Sequence, residues 1–285
     1  ECLWALAVKP GGRYVDGTLG LGGHARAVLE ASAPDGRVLG VDRDAEVLQL
    51  ARAGLGEFGD RAMCRHGSYA EIGHALVDLA WAAVDGIVLD LGVCSVHLDD
   101  AARGFSFARE APLDMRFDRG LGESARAWLE RVDERELTEV LVAFAEERRP
   151  ARVVRAIREA VRRKALNTTG DLADIARATM RGSRTHHPGT RLFQAIRIAV
   201  NRELDELRLF LERMVDWVSP GGRVVIIAYH SLEDRPVKEA FRRLASGGEW
   251  EILSKKVIRP GPDETRRNRR SRSARLRAIA RRVAS

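Results

Sequence analysis

Cysteine is scarce in this chain: Cys2, Cys64 and Cys94 are the only three in 285 residues, and no two form a C-x-x-C pair. That argues against a disulfide framework or a thiolate zinc site and fits a reducing compartment, the cytoplasm. Long apolar runs are also missing. No stretch approaches the roughly 18 to 20 residues of a membrane span. Glu1-Cys2-Leu3-Trp4 does not open a basic-then-apolar leader, so neither membrane insertion nor export is expected. Internal repeats are absent, and the only biased tract is one arginine-rich stretch. The one histidine pair, His186-His187, is followed by Pro188-Gly189, a setting where solvated side chains outnumber ligands, so no metal is assigned.

What is present describes a globular protein. The hydrophobic fraction is 45% and the charged fraction 31%, far from the disordered regime. The length allows one large domain, or one domain carrying an insertion. The net charge of +7 is concentrated at one end: Arg259 to Ser285 holds ten arginines against Asp263 and Glu264, which leaves the rest of the chain close to neutral.

Over the first ninety residues, short β-rich runs alternate with helical stretches, as in a parallel sheet covered by helices. Arg13–Asp16, Arg37–Asp42, Ala62–His66 and Asp85–Leu91 read as strands, with helices over His24–Ala31, Ala45–Phe58 and Ala70–Ala82. From about Asp99 to Gly189 helices occur without a convincing strand. Asp133-x-x-Glu136 and Thr168-x-x-Asp171 have the form of helix starts, Val153–Lys164 reads as a further helix, and Pro150 is expected to end or reset one. Leu192, Ile196, Val200, Leu204, Leu207, Leu211, Val215 and Val218 form a stripe that predicts one sustained helix over Thr190–Val218. Pro220-Gly221-Gly222 then stops it, Arg223–Ala228 is a buried strand, and Leu232–Leu244 is a helix. Trp250–Val257 and Ala274–Val283 close the sheet as an antiparallel hairpin, with the arginine-rich connection at the sheet edge. The expected organisation is a discontinuous α/β domain, residues 1–98 and 190–285, around an inserted all-helical domain, residues 99–189.

The chemistry-bearing feature is Val15-Asp16-Gly17-Thr18-Leu19-Gly20-Leu21-Gly22-Gly23-His24: an acid at a strand end, glycines, then a helix start. Glycines let the backbone approach a ligand, and the helix N-terminus offers free N–H groups. Gly20-x-Gly22-x-x-Ala25 also satisfies the dinucleotide fingerprint. Two more acids end strands, Asp42 in Val41-Asp42-Arg43-Asp44 and Asp90 in Val88-Leu89-Asp90-Leu91-Gly92. Asp42 suits a ribose diol in either an NAD or an S-adenosylmethionine site. Asp16 separates the two, because an acid there opposes a pyrophosphate but suits the cationic amino-acid end of S-adenosylmethionine.

These residues resemble the bacterial RsmH (MraW) methyltransferases, which methylate N4 of a cytosine in 16S ribosomal RNA near the decoding centre. The resemblance spans nearly the whole chain. It rests on Asp16-Gly17-Thr18 through His24, Asp85 through Val93, Leu98-Asp99-Asp100, Arg103-Gly104-Phe105-Ser106-Phe107 and Pro112-Leu113-Asp114-Met115-Arg116. It continues through Thr190-Arg191-x-Phe193-Gln194-Ala195-x-Arg197-Ile198, His230 through Arg235, and Arg270-Ser271-Arg272-Ser273. It implies a Rossmann-like class I S-adenosylmethionine-dependent methyltransferase whose helical insertion recognises substrate. It further implies that Gly22, Gly23 and His24 contact the cofactor, Asp42 its ribose and Tyr69 its adenine region, with Asp90 and His97 completing the pocket. Tyr69 stands where Phe is common, His97 where Gln is common, Cys94 where Ser is common, and Arg148-Arg149-Pro150 departs from the pattern.

An exocyclic amine is a poor nucleophile because its lone pair is conjugated into the ring, so catalysis must position and polarise. Asp90 is the first candidate acceptor and His230 the second. Each has a bland counterpart: a contact to the cofactor alone, and a histidine capping the next helix. Ser231, Arg270 and Arg272 are candidate RNA contacts; Arg116 and Arg191 either anchor phosphate or join internal ion pairs. Phe105 and Phe107 stack on the base or pack within the insertion. The small ribosomal subunit is the expected partner, with a homodimer left open. The rival functions are an NAD(P)-dependent oxidoreductase and a catalytically silent RNA-binding factor on the same fold.

Overall fold

The computed structural model describes residues 1–181, 187–254 and 256–283; His186 of the histidine pair lies outside them. By internal contacts the chain divides into two units, Glu1–Gly92 with Leu204–Ser285, and Val93–Glu203. Packing explains why these limits differ from residues 98 and 190. Val93 and Leu98 pack against the helical unit's own core, and the helix Pro188–Asn201 contributes Leu192, Phe193 and Ile196 to it.

The first unit carries a seven-stranded sheet: β1 Arg13–Asp16, β2 Arg37–Asp42, β3 Ala62–His66, β4 Val84–Asp90, β5 Val218–Ala228, β6 Trp250–Ile252 and β7 Arg275–Arg281. The order is β3-β2-β1-β4-β5-β7-β6; pairing is parallel from β3 through β5, and β7 runs antiparallel to both β5 and β6. A dinucleotide-binding sheet runs 3-2-1-4-5-6 in parallel. The reversed β7 between β5 and β6 departs from that all-parallel order. Strand periodicity sorts β5 between two layers: Val224 and Ile226 join one apolar cluster, Val225 and Ile227 the other. Burial of each such side chain is worth about 1.5–3 kcal/mol. The first layer is covered by α4 Ile72–Asp78, α11 Glu203–Arg213 and α12 Ser231–Ser246; the second by α1 Cys2–Leu6, α2 Gly23–Ala31 and α3 Ala45–Gly54.

The second unit is built on α5 Ser95–Asp99, α6 Ala125–Arg131, α7 Glu134–Ala145, α8 Pro150–Arg162, α9 Thr169–Thr179 and α10 Pro188–Asn201. Asp133 caps α7 by accepting the Glu136 N–H at 2.7 Å, and Thr168 and Asp171 form a reciprocal capping box on α9. Pro150 starts α8 at its first turn, where a missing N–H is harmless. A short helix α13, Pro262–Arg267, lies in the arginine-rich connection of the first unit.

Several elements differ from the sequence expectation, among them Trp250–Val257, where only Trp250–Ile252 is strand, and Ala70–Ala82, a 3₁₀ turn over Tyr69–Glu71 followed by a helix that ends at Asp78. Ala45–Phe58 ends as an α-helix at Gly54 and tightens into a 3₁₀ turn over Gly56–Arg61. Thr190–Val218 is not one helix: α10 ends at Asn201, and Arg202 turns left-handed at φ 51°. The side chain of Asn201 is the reason, since Oδ1 accepts the Phe117 N–H at 2.8 Å and Nδ2 donates to the Met115 carbonyl at 2.7 Å. An apolar stripe that keeps its phase across a break hides it. Pro220-Gly221-Gly222 does not separate helix from strand, because β5 already begins at Val218 and bulges there, with Gly221 at φ 82° and a register shift opposite Val84 and Gly86.

Candidate active site

The glycine loop leaves β1 and enters α2, and the acids at the ends of β1 and β2 build it. Asp16 is 1% exposed. Its carboxylate accepts the Thr18 N–H at 3.2 Å and the Ala25 N–H, in the first turn of α2, at 3.1 Å. Burial raises this carboxyl from 3.8 to about 6, against the lowering effect of His24. Asp42 accepts the Gly20 N–H at 2.7 Å and the Asp44 N–H at 2.9 Å, while Asp44 caps α3. Gly22 holds φ 82°, a left-handed backbone that a side chain would strain. A Cβ at Gly23 would meet nothing within 4 Å, so the surface over the start of α2 is open. Tyr69 lines the same loop, its Cβ 3.0 Å from where a Cβ on Gly17 would sit, with its ring edge-on to Phe210 at 5.8 Å.

Asp90, at the end of β4, is held differently. Its N–H donates to Thr18 Oγ at 2.6 Å, which ties β4 to the loop. Its Oδ1 accepts the Tyr229 hydroxyl at 2.8 Å, and its Oδ2 lies 3.6 Å from His24 Nε2. The hydrogen bond to Asp90 raises the His24 pKa. Burial, reinforced by Asp90, raises that of Tyr229, so its hydroxyl stays a donor. One third of the Asp90 side chain is exposed, and a carboxylate with two partners keeps lone pairs to spare. His230 follows as the residue before α12. Its Nε2 is 3.1 Å from Glu233 Oε1 without hydrogen-bond alignment, and neither ring nitrogen has a hydrogen-bond partner. Glu233 itself accepts the Tyr229 N–H at 2.9 Å. Buried ring nitrogens are ordinarily hydrogen-bonded, so this pair is an exception among the described residues.

A test of fit follows from this donor set. Three carboxylates stand on three strand ends, beside an open helix start and an aromatic face. They suit a cationic group bearing a ribose diol; a pyrophosphate would meet carboxylates where it needs cations.

Of the remaining predicted residues, His97, Phe105, Phe107, Arg116 and Arg191 belong to the helical unit, and Ser231, Arg270 and Arg272 to the first unit. His97 is 4% exposed, its ring tilted against those of Phe105 and Phe117 at 5.0 and 5.3 Å while those two stack on each other at 5.5 Å, and its Nδ1 accepts the Cys94 N–H at 3.2 Å. Phe107 packs on Phe193 at 4.9 Å in the same unit. Of the two readings of Arg116, the ion pair is the one formed: Nε and Nη2 meet the Asp114 carboxylate at 2.8 and 2.9 Å. Burial opposes ionisation of Asp114, but the bonds from Arg116 hold its carboxyl below the usual range. Among the described residues Arg191 forms no such pair; its Nη2 donates to the Arg181 carbonyl at 3.0 Å. Ser231, Arg270 and Arg272 are exposed in the first unit. Arg277, counted with the basic connection, is instead clamped to Asp234 at 2.7 and 3.1 Å, with Arg275 3.9 Å from the same carboxylate.

Sequence reasoning missed Tyr229 and Thr18 as partners of Asp90. Tyr229 carried a usable signal: it is the first polar residue after the apolar run Val224–Ala228, at the carboxyl end of a strand, where open α/β sheets place their ligands.

Known proteins resemble this chain from end to end. The sequence pattern of the MraW methylase family matches residues 1–282. A "Ribosomal RNA small subunit methyltransferase H" from Desulfovibrio desulfuricans is 44% identical over 299 residues, covering 98% of this chain and 91% of that protein. Proteins of the same name from Syntrophobacter fumaroxidans and Methylococcus capsulatus are 43% and 45% identical, covering 98% and 100% of this chain and 93% and 99% of theirs.

Proposed function

This chain belongs to the MraW methylase family, and from that membership we propose that it methylates N4 of a cytosine in the 16S ribosomal RNA of the small subunit, near the decoding centre. S-adenosylmethionine, its cofactor, supplies an electrophilic methyl group on a sulfonium that is its own leaving group. Gly22, Gly23, His24, Asp42 and Tyr69 hold that cofactor, and Asp16 shapes the loop from beneath. The antiparallel β7 and the family membership set aside an NAD(P)-dependent oxidoreductase.

The observation that carries the reading is the Asp90 carboxylate, fixed by Tyr229 beside an open glycine loop and still able to accept. A cytosine amine becomes a better nucleophile when an acceptor takes one of its hydrogens, and it must shed a proton once methylated. Asp90 does both. His230, with two unpartnered nitrogens beside Glu233, orients the base or relays the proton onward. Methylation at a cytosine ring carbon would instead need a cysteine thiolate as transient nucleophile. Burial pushes the Cys2 thiol up to about 11 and also raises Cys64, and Cys94 serves as the cap of α5. That supports amine chemistry.

Ser231, Arg270, Arg272 and Arg191 contact the RNA, and the helical unit recognises the substrate. His97, packed against Phe105 and Phe117, and Arg116, paired with Asp114, support the framework of the helical unit. The target base must leave its stack to reach the site. Incubating the protein with labelled S-adenosylmethionine and small subunits that lack the modification tests the reading: label is expected in the small-subunit RNA and not in large-subunit RNA. Equal labelling of both, or none, contradicts it.

A further inference from the structure

The helical unit contains a cavity of about 420 Å³ that has no part in the chemistry described above. It lies where the end of α7 meets the start of α8, and where the end of α9 and the side chain of Arg191, on α10, close it. Arg148, Arg149, Arg152, Arg181 and Arg191 line it. Glu146 and Glu147 are the acidic residues of the wall, and Glu147 is turned to its own backbone, accepting the Arg149 N–H at 2.8 Å.

These five guanidinium groups are gathered around one cavity. None forms an ion pair with a carboxylate among the described residues. Elsewhere in the same unit many arginines are paired, Arg126 with Glu130, Arg131 with Glu123, Arg135 with Glu139, Arg177 with Asp174, and Arg162 and Arg163 with Glu159, while Arg158 donates to the Leu129 and Val132 carbonyls instead. Two of the five are fixed in place, Arg152 by the Ala178 carbonyl at 2.7 Å and Arg191 by the Arg181 carbonyl at 3.0 Å. Each of those bonds uses one of five donors and leaves the planar fork otherwise free. Like charges gathered round one cavity repel, and an anion in the cavity relieves that repulsion. The start of α8, which has no side-chain cap, adds the positive end of a helix dipole.

We propose that this cavity binds a backbone phosphate of the RNA substrate and sets the register of the RNA without contributing to the chemical step. The volume lies within the roughly 300–1,000 Å³ of small-ligand sites, room for a phosphate and its sugar. Arginine forks match phosphate oxygens in pairs. The proposal rests on the RNA reading above, but its test does not require turnover.

The test compares Arg148→Gln/Arg149→Gln with Arg162→Gln/Arg163→Gln, a control in which the removed charges are already paired. Binding of a small-subunit RNA fragment is titrated against salt, and KM and kcat are measured on unmodified subunits. Loss of two phosphate contacts lowers the slope of log K against log salt by roughly 1.4 to 1.8. KM is expected to rise about 25- to 60-fold at 0.1 M salt through the same loss of charge, with kcat and S-adenosylmethionine binding held and the control pair close to wild type. A slope and KM equal to those of the control overturn the proposal. So does a normal slope on RNA with a KM defect confined to assembled subunits, which would assign the cavity to a protein of the subunit. If wild type binds the RNA but transfers no methyl group to it, the functional reading fails while the slope comparison still decides the cavity.

Discussion

The carboxylates at the ends of β1 and β2 and the one at the end of β4 share a residue type and a topological position, yet they sit in different surroundings. Asp16 and Asp42 give their oxygens to backbone N–H groups of the loop and the helices that follow. Asp90 gives its oxygens to side chains, Tyr229 and His24, and stays partly exposed. The position at a strand end selects an acid; the partners decide what the acid does. On the proposed reading, the backbone-held carboxylates build the seat and the side-chain-held carboxylate handles a proton.

Removing Asp90 is the largest break of that contrast. Asp90→Ala is expected to lower kcat by about 10²- to 10⁴-fold while S-adenosylmethionine binding, followed by calorimetry, changes little. Weakened cofactor binding with normal saturated turnover would make Asp90 another part of the seat.

Asp16 should show its nature through pH. Its carboxyl is raised to about 6 in the folded chain from an ordinary 3.8, so the unfolded chain gives up the proton first. Folding stability therefore falls as pH rises from about 4 to about 6, by up to about 3 kcal/mol. Asp16→Asn lacks this slope, and its stability relative to wild type should improve across that window in denaturant titrations at pH 4.5 and 7.5. Parallel behaviour of the two proteins would contradict a buried, desolvated Asp16.

Tyr229→Phe sharpens the comparison from the other side, since it removes one hydrogen bond to a charged group and leaves the ring. A decrease in kcat of about tenfold is expected, with KM for RNA unchanged. Because burial and Asp90 both raise the hydroxyl's pKa, the wild-type rate should hold to about pH 10. A fall beginning near pH 8 would place a different group in control. The smallest effect is expected for His230→Ala, about three- to tenfold in kcat; turnover within error of wild type would remove the imidazole from the mechanism.

The sheet unit was legible because its strands are short apolar runs ending in Asp16, Asp42, His66 and Asp90, with glycines where the loop turns. The antiparallel closing pair was legible in the same way. The break at Asn201 was not, because the amide that causes it bonds to Met115 and Phe117, far away in sequence. The arginines divided for the same reason. A charge run predicts a phosphate-binding surface, but Arg277 and Arg275 face Asp234 on α12, a contact that no local pattern reveals. Arg148 and Arg149, read only as a departure from a family pattern, are left unpaired by their neighbours. Tyr229 was passed over because a lone aromatic after a strand is ordinary in sequence; only the partner across at Asp90 gives it meaning.

The account turns on which atom receives the methyl group. Small subunits reacted with labelled S-adenosylmethionine can be digested to nucleosides, separated, and the labelled nucleoside identified by mass and by the loss of one exchangeable amine hydrogen. The account predicts a single labelled product, a cytidine methylated on its exocyclic nitrogen. Label in a cytidine methylated on a ring carbon or on the ribose would contradict it.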